Sequence, residues 1–185
     1  IGATDMFRKY ENYVLIPVYD GGEIRGFLGR YGARKVPDNK LRYNNSIGTE
    51  FAELLFGYDE ITDNTSTVIL VEGCFDKIAV DKVLHLWDGE EVKCVCTFGK
   101  KISDKQIKKL MLKGVTNVIL LYDFDAVKEI KKYGLELEKY FVTSITYTSD
   151  KKDIDECSED EALEVFTHLM KPRDFNEGVI GKLKK

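Results

Sequence analysis

The sequence lacks the patterns that mark membrane and exported proteins. No run of about 18 apolar residues occurs among its 185 residues, which argues against a membrane-spanning helix. Its first residues contain neither the basic segment nor the apolar segment of a signal peptide. They also lack an initiator Met, so we expect a piece of a longer protein. With 43% hydrophobic residues, the chain is able to bury a core of its own.

The sequence also lacks the cysteine and histidine spacing of a zinc site. The four cysteines form no CxxC pair, and the two histidines stand at no zinc-like spacing. Cys94 and Cys96 occupy alternate positions of an apolar run, which predicts buried thiols rather than a metal site. Thiols that stay reduced are typical of the cytoplasm, where we expect this protein.

Basic and acidic residues are unevenly distributed, although the net charge is only −4. Residues 24–46 contain six basic side chains and one acid, whereas residues 150–161 contain seven acids and two lysines. Such a division suits a protein that holds metal ions in one place and phosphates in another. Two ordinary solvated surfaces would give the same distribution, so the charge pattern leaves both interpretations open.

From residue 66 onward, predicted strands alternate with predicted helices. Runs rich in apolar and β-branched residues predict strands at 67–71, 92–97, 117–122 and 142–148. Strands separated by helices predict an α/β fold in which helices flank a parallel sheet. The run at 142–148 alternates in polarity, which predicts a strand at the edge of the sheet.

The residues before 66 follow a different pattern. Two apolar runs flank Asp20, Gly21 and Gly22, a sequence typical of a hairpin turn, and a short helix is predicted near 50–56. We therefore predict a small N-terminal α+β lobe. The predicted domain boundaries are listed in chain order: 1–65 for the lobe, 66–157 for the parallel-sheet domain, and 158–185 for a C-terminal helix and tail.

Acidic residues follow two of the predicted parallel strands. Glu72 comes directly after the first strand, and Asp123 and Asp125 come directly after the third. Ligands of open parallel sheets bind beyond the carboxyl ends of the strands, so these carboxylates are expected at one edge. Asp76, at the start of the next helix, extends the group. Clustered carboxylates repel one another, and a hard cation such as Mg²⁺ removes that repulsion. A helix cap at Asp76 and a solvated turn at 123–125 remain the alternative.

At these residues the sequence resembles the TOPRIM domain of bacterial and phage DnaG-type DNA primases. Residues 72–76 (EGCFD) resemble the EGYxD element, residues 97–99 (TFG) the TLG turn, and residues 123–125 (DFD) the DxD motif. Residues 152–156 (KDIDE) resemble the KDPDE segment. This last segment favours primases over the topoisomerases, recombination-mediator proteins and nucleases that share the first motifs.

The residues before the predicted sheet also resemble the primase core. The similar segments are 16–20 (IPVYD) to FPIxD, 26–30 (GFLGR) to GFGGR, 42–46 (RYNNS) to KYLNS, and 55–60 (LFGYDE) to LYGLDEA. The resemblance covers roughly residues 13–156 in collinear order. The sequence departs from the family at Phe124, where a Gly is usual, and at Cys74, where a Tyr is usual.

The resemblance implies a TOPRIM-type parallel sheet and the chemistry of a DNA-directed RNA polymerase. Such an enzyme makes short RNA primers from NTPs on single-stranded DNA with Mg²⁺, or Mn²⁺ in its place. A replicative helicase is the implied partner, in a bacterial cell or a phage-infected host. The implied principal metal ligands are Glu72, Asp123 and Asp125, and the supporting ligands are Asp76, Asp153 and Asp155. The implied nucleotide-binding or template-binding residues are Arg30, Arg42, Tyr43, Asn45, Lys100 and Lys101.

Two other functions remain open at this point. The same acids would serve another TOPRIM enzyme, such as a nuclease that cuts DNA. Alternatively, Phe124 and Cys74 indicate a catalytically decayed module that only binds nucleic acid. Ordinary packing also explains Tyr43, and a solvated loop also explains Lys100 and Lys101.

Overall fold

The computed structural model describes residues 2–4, 9–123, 126–148 and 153–175, with the backbone alone at 2–4 and 127–128. Its contacts divide the chain into two compact units, Ile1–Glu50 and Phe51–Lys185. None of the helices within the described residues has both the length and the apolar character needed to cross a membrane.

The first unit is built on a three-stranded antiparallel sheet. In spatial order its strands are β1 (Gly2–Thr4), β2 (Tyr13–Asp20) and β3 (Glu23–Tyr31). Gly21 and Gly22 form the turn between β2 and β3 with φ of 67° and 79°, a conformation that glycine adopts without steric cost. The predicted hairpin is confirmed. The described residues of this unit contain no helix, because the helix expected near 50–56 is a single 3₁₀ turn at Phe51–Glu53 in the second unit.

The second unit contains a parallel sheet of four strands flanked by helices, as the sequence predicts. In chain order its elements are β4 (Thr67–Val71), α1 (Cys74–Val83), β5 (Val92–Cys96), α2 (Asp104–Leu112), β6 (Asn117–Tyr122), α3 (Val127–Leu137), β7 (Val142–Tyr147) and α4 (Glu159–Val165). The spatial order of the strands is β5-β4-β6-β7, so the last strand lies at an edge.

Alternate residues of β4 pack into two different cores. Val68 and Leu70 join a cluster that includes residues of α2 and α3, whereas Ile69 and Val71 join one that includes residues of α1 and α4. Side chains of a strand point alternately to opposite faces, so helices cover both faces of the sheet. That arrangement explains why the run at 67–71 is apolar throughout. The same burial leaves Cys94 and Cys96 as buried free thiols, as predicted.

The structure divides the chain earlier than the boundary drawn between residues 65 and 66. Phe56 and Cys96 exchange two backbone hydrogen bonds of 3.0 Å, which attach the chain before β4 to the sheet. Leu55 and Ile61 lie in the same core cluster as Val68. The polar run at 62–66 is a turn, in which the Thr65 hydroxyl donates to the carbonyl of Glu90 at 2.6 Å. A polar stretch alone therefore did not mark the edge of a compact unit.

Candidate active site

Two of the predicted acids emerge at the same edge of the parallel sheet. β4 and β6 are neighbours in the sheet and run parallel, with Leu70 opposite Leu120. Glu72 directly follows β4 and Asp123 directly follows β6, so both leave the sheet at its carboxyl edge. This is the edge at which parallel sheets bind ligands.

The Asp123 carboxyl group is surrounded by other acids. Burial raises its pKa, and the charges of Asp76, Asp153 and Glu72 raise it further, to about 8. A hydrogen bond between the carboxyl groups of Asp123 and Asp153 acts in the same direction. Without a cation, the other negative charges of the site therefore favour the protonated form of Asp123.

Asp76 contributes to this group while also capping its own helix. Its carboxylate accepts a hydrogen bond of 2.8 Å from the Gly73 backbone N–H at the start of α1. The cap that the sequence offered as an alternative is therefore present. It does not remove Asp76 from the site, because the same carboxylate raises the pKa of Asp123.

The 3₁₀ turn at Ile154–Glu156 positions the fourth acid. Ile154 is only 2% exposed and packs in the cluster that contains Val80 and Ala162. This apolar anchor fixes Asp153, the residue before it, beside Asp123. Asp155 follows the anchor and lines a surface cavity of about 220 Å³ together with Lys82 and Trp87, among others.

The acids form a repulsive group rather than a finished metal cage. Within the described parts of the chain, no three or more His, Cys, Asp or Glu side chains are placed to hold a metal ion. Asp125 and Phe124 lie outside the described residues, so one predicted principal ligand has no described position. The donors present are carboxylate oxygens, which suit Mg²⁺ or Mn²⁺, and a divalent cation would relieve the repulsion that raises the pKa of Asp123. Their chemistry fits such an ion.

The turn after β5 joins this edge to two of the predicted lysines. Gly99 adopts a φ of 142° and donates its backbone N–H to the Glu72 carbonyl at 3.0 Å. The Thr97 hydroxyl lies 3.1 Å from the Val71 carbonyl and braces the same strand end. Lys100 and Lys101 follow directly, and Lys101 is exposed. The role of Thr97 was not foreseen, although a hydroxyl at a strand end was a visible signal.

A buried lysine fixes the helix that begins beside the acids. Lys77 is 4% exposed, and its Nζ lies 2.6 Å from Asp81 Oδ2 and 2.6 Å from Glu60 Oε2. Burial lowers its pKa, but the hydrogen bonds to Asp81 and Glu60 outweigh burial and leave the pKa raised. These bonds tie the 3₁₀ turn Tyr58–Glu60 to α1. The sequence showed only a Lys and an Asp four residues apart, which usually form a surface pair.

In the first unit, the predicted phosphate-binding residues lie along one edge of β3. The segment 42–46 runs beside this strand, with Asn44 donating to the Gly29 carbonyl at 2.8 Å and Ser46 to the Phe27 carbonyl at 3.0 Å. A Cβ atom at Gly29 would collide with the Asn44 carbonyl, so the close approach requires glycine there. The segment is therefore held firmly against the strand.

The side chains along this edge of β3 differ in whether their hydrogen bonds within the protein leave them accessible to a ligand. Arg30 donates to the Tyr43 hydroxyl at 2.7 Å and lies 5.4 Å from the centre of its ring, and Tyr43 is 47% exposed. Arg42 is exposed and donates to the Arg34 carbonyl at 3.0 Å. Asn45 accepts the Gly29 N–H at 3.3 Å, which is a structural bond. Arg30, Arg42 and Tyr43 thus remain able to face a ligand.

Comparisons with known proteins bear on what this fold does. No family model matches the chain. A DNA primase of Mycoplasma pneumoniae is 28% identical over 147 residues, which cover 71% of this chain and 22% of that protein. The Aquifex aeolicus primase structure, containing zinc-binding and RNA polymerase domains, matches with a TM-score of 0.63 and 25% identity, over 87% of this chain and 41% of that one. The RNA polymerase domain of Mycobacterium tuberculosis primase DnaG matches with a TM-score of 0.69 and 15% identity, over 96% of this chain and 64% of that one.

The fold is thus that of the RNA polymerase domains of bacterial primases. Together with the sequence likeness, it shows that the chain is homologous to DnaG-type DNA primases. The chain spans about a fifth of the curated relative that it matches, 22% of its length.

Proposed function

We propose that the chain is the catalytic part of a DnaG-type primase and that its parallel-sheet unit is a TOPRIM domain. It would make short RNA primers from NTPs on single-stranded DNA, with Mg²⁺ as cofactor and a replicative helicase as partner. The observation that carries the proposal is the gathering of acids around Asp123, whose pKa is raised to about 8. It occurs at the ligand-binding edge of a sheet whose fold matches primase polymerase domains.

The acids have the chemical character that nucleotide transfer requires. Glu72, Asp76, Asp123 and Asp153, with Asp125, would hold the metal. When bound, Mg²⁺ neutralises the triphosphate and lowers the pKa of the attacking 3′-hydroxyl. Asp123 would release its proton on binding the cation, because its pKa of about 8 reflects burial and neighbouring negative charge.

The basic side chains of both units supply phosphate contacts in this proposal. Arg30 and Arg42 carry planar guanidinium groups that match phosphate geometry. Tyr43 offers a half-exposed ring on which a base could stack. Lys101 follows the turn that is bonded to Glu72. Contacts of this kind act mainly on the backbone of a single strand, so template affinity is expected to fall steeply with salt.

The sequence departures at Phe124 and Cys74 leave a second function open, a catalytically decayed module that only binds nucleic acid. In that case the acidic edge would retain its repulsion without ever binding a cation. Metal binding therefore separates the two functions.

The decisive experiment measures primer synthesis on a single-stranded template with NTPs and Mg²⁺ or Mn²⁺. Wild-type protein should make labelled short RNA, and Asp123→Asn and Asp125→Asn should not. Asp160→Asn, at an exposed acid of α4, is the matched control and should retain activity. Product that persists in Asp123→Asn would contradict the site. DNA cleavage without NTPs would favour a nuclease, and calorimetry that detects no Mg²⁺ or Mn²⁺ binding would favour the decayed module.

A further inference from the structure

The helix α2 and the loop before it are unusually rich in lysine. Residues 100–113 contain six lysines and a single acid, Asp104, in a chain whose net charge is −4. This concentration of positive charge is therefore local. It lies within the parallel-sheet unit, apart from the basic segment 24–46 in the sequence.

Packing decides which side of α2 these lysines occupy. Gln106, Ile107 and Leu110 are at most 4% exposed and form the inward side of the helix. Lys105 and Lys108 are exposed and stand three residues apart, so they share the outward side. The exposed Lys101 precedes them in the loop. We call Lys101, Lys105 and Lys108 the α2 lysine face.

Two of the other three lysines in residues 100–113 have structural roles. Lys109 and Lys113 lie 4.6 Å and 5.0 Å from the centre of the Tyr58 ring, and Lys113 also donates to the Ile61 carbonyl at 2.8 Å.

Within the α2 lysine face, Lys105 forms an exposed ion pair with Glu53, a type of pair that contributes little to stability. Lys101 and Lys108 form no hydrogen bond or ion pair with any other residue that the structure describes. Within the α2 lysine face, only Lys105 is thus paired with a described acid, and that pair is exposed.

The face begins at the candidate active site. The loop that carries Lys101 starts at Gly99, whose N–H is bonded to the Glu72 carbonyl. The first turn of α2 is held near the same edge, because Gln106 Nε2 donates to the Thr97 carbonyl at 3.0 Å. Within α2, at a helical rise of 1.5 Å per residue, Lys105 and Lys108 stand roughly 4.5 Å apart along the helix axis, which is close to the roughly 3.4 Å spacing of successive phosphates in a stacked strand.

We propose that the α2 lysine face binds the phosphates of the single-stranded DNA template next to the candidate active site. The inference rests on the proposed function, since it takes the template as the strand present at this edge. Lysine ammonium groups contact phosphates without reading bases, so the contact is independent of sequence. Beyond Lys108, Met111 and Leu112 are 50% and 73% exposed and offer apolar surface to unstacked bases.

The test compares two variants with equal loss of charge. Lys101→Gln/Lys105→Gln/Lys108→Gln removes the α2 lysine face. The control Lys132→Gln/Lys139→Gln/Lys171→Gln removes three other exposed lysines. Binding of a fluorescent single-stranded oligodeoxynucleotide is followed by anisotropy at several salt concentrations, without NTPs or divalent ions.

The face variant should bind at least about tenfold more weakly at low salt, with a salt slope smaller by about 2, since each phosphate contact contributes roughly 0.7. The control should bind within about twofold of wild type. Equal binding by wild type and the face variant would overturn the proposal, as would an equal loss in the control. Glu53→Gln, which removes only the partner of Lys105, should not weaken binding. The same measurement with an oligoribonucleotide identifies which strand the face binds. If the face variant binds RNA more weakly but binds DNA as wild type does, the face contacts the RNA product and the template assignment is overturned.

Failure of this inference is distinguishable from failure of the proposed function. If the face variant binds DNA more weakly while the wild-type protein makes no RNA, the results support DNA binding by the α2 lysine face and contradict the proposed polymerase activity. If the face variant binds DNA as tightly as wild type and the wild-type protein makes primers, only the role of the α2 lysine face is contradicted. Circular dichroism melting curves of all variants establish that the substitutions leave the fold intact.

Discussion

The acidic edge of the parallel sheet and the basic edge of β3 are stabilised in opposite ways. In the first unit, Arg30 bonds to Tyr43 and Asn45 to a backbone N–H, so the polar groups satisfy one another. At the acidic edge, Asp76, Asp153 and Glu72 instead raise the pKa of Asp123 by repulsion. Unfavourable contacts retained at the carboxyl edge of a parallel sheet are typical of a functional site, where perturbed pKa values cluster. The difference teaches that the acidic edge, and not the basic edge, is where the chain holds groups that its own contacts do not satisfy.

The largest expected effect comes from substituting an acid at the acidic edge of the parallel sheet. Asp123→Asn should reduce primer synthesis by about 100-fold or more, because the carboxylate is a proposed metal ligand. The same variant should melt at a higher temperature than wild type at pH 9 with a chelator present. Unfolded Asp123 loses its proton near pH 4 and folded Asp123 near pH 8, so the folded state loses stability as pH rises through this window. Asn has no proton to lose. A lower melting temperature for Asp123→Asn at pH 9 would contradict the repulsion.

A second large effect concerns the buried lysine that supports the acidic edge. Lys77→Met should lower the free energy of unfolding by about 3 kcal/mol, because it leaves the carboxylates of Asp81 and Glu60 without their cation. Denaturant unfolding measures this change. Lys82→Met, at an exposed position of the same helix, is the control and should change stability by less than about 0.5 kcal/mol. Equal stability of the two variants would show that the network is not structural.

An intermediate effect is expected when the proposed cation is added. Mg²⁺ should raise the melting temperature of wild-type protein, and the increase should grow between pH 6 and pH 9. The cation competes with the proton on Asp123, whose pKa is about 8, so binding tightens as that proton is lost. The increase should disappear in Asp123→Asn and persist in Asp160→Asn. A Mg²⁺ effect that is flat across this pH range would separate the cation from Asp123.

The smallest effect belongs to the basic edge, where the polar groups are already satisfied. Asn45→Ala should cost about 1 kcal/mol of stability, because the Gly29 N–H loses its acceptor. Tyr43→Phe removes one exposed hydrogen bond and should change stability by less than about 0.5 kcal/mol. Thermal denaturation compares the two. A larger loss in Tyr43→Phe than in Asn45→Ala would reverse the roles assigned to these side chains.

The strands were predictable because their pattern is local. The run at 67–71 matches β4 and the run at 117–122 matches β6, since each is apolar enough to be covered by helices on both faces. Helix ends were less predictable. α1 ends at Val83, and His85 then adopts a φ of 51°. The apolar pattern of this stretch does not predict that turn.

The candidate site was predictable only where it depends on the sheet. Glu72 and Asp123 follow predicted parallel strands, so their common edge could be inferred from the shared direction of these strands. The buried network of Lys77 could not, because Glu60 is distant in the sequence and its approach depends on the packing of the 3₁₀ turn. The position of Asp125 remains a prediction, since it lies outside the described residues.

By itself, the sequence determined the alternation of strand and helix, the parallel sheet and the acids at its strand ends, because side-chain periodicity and chain direction are local properties. Only the tertiary structure decided that Asp153 lies against Asp123, through burial of Ile154, and that Lys105 and Lys108 of α2 share one exposed side. Both arrangements depend on which apolar residues are buried together in the same core. That choice is made by the whole core and not by any single segment.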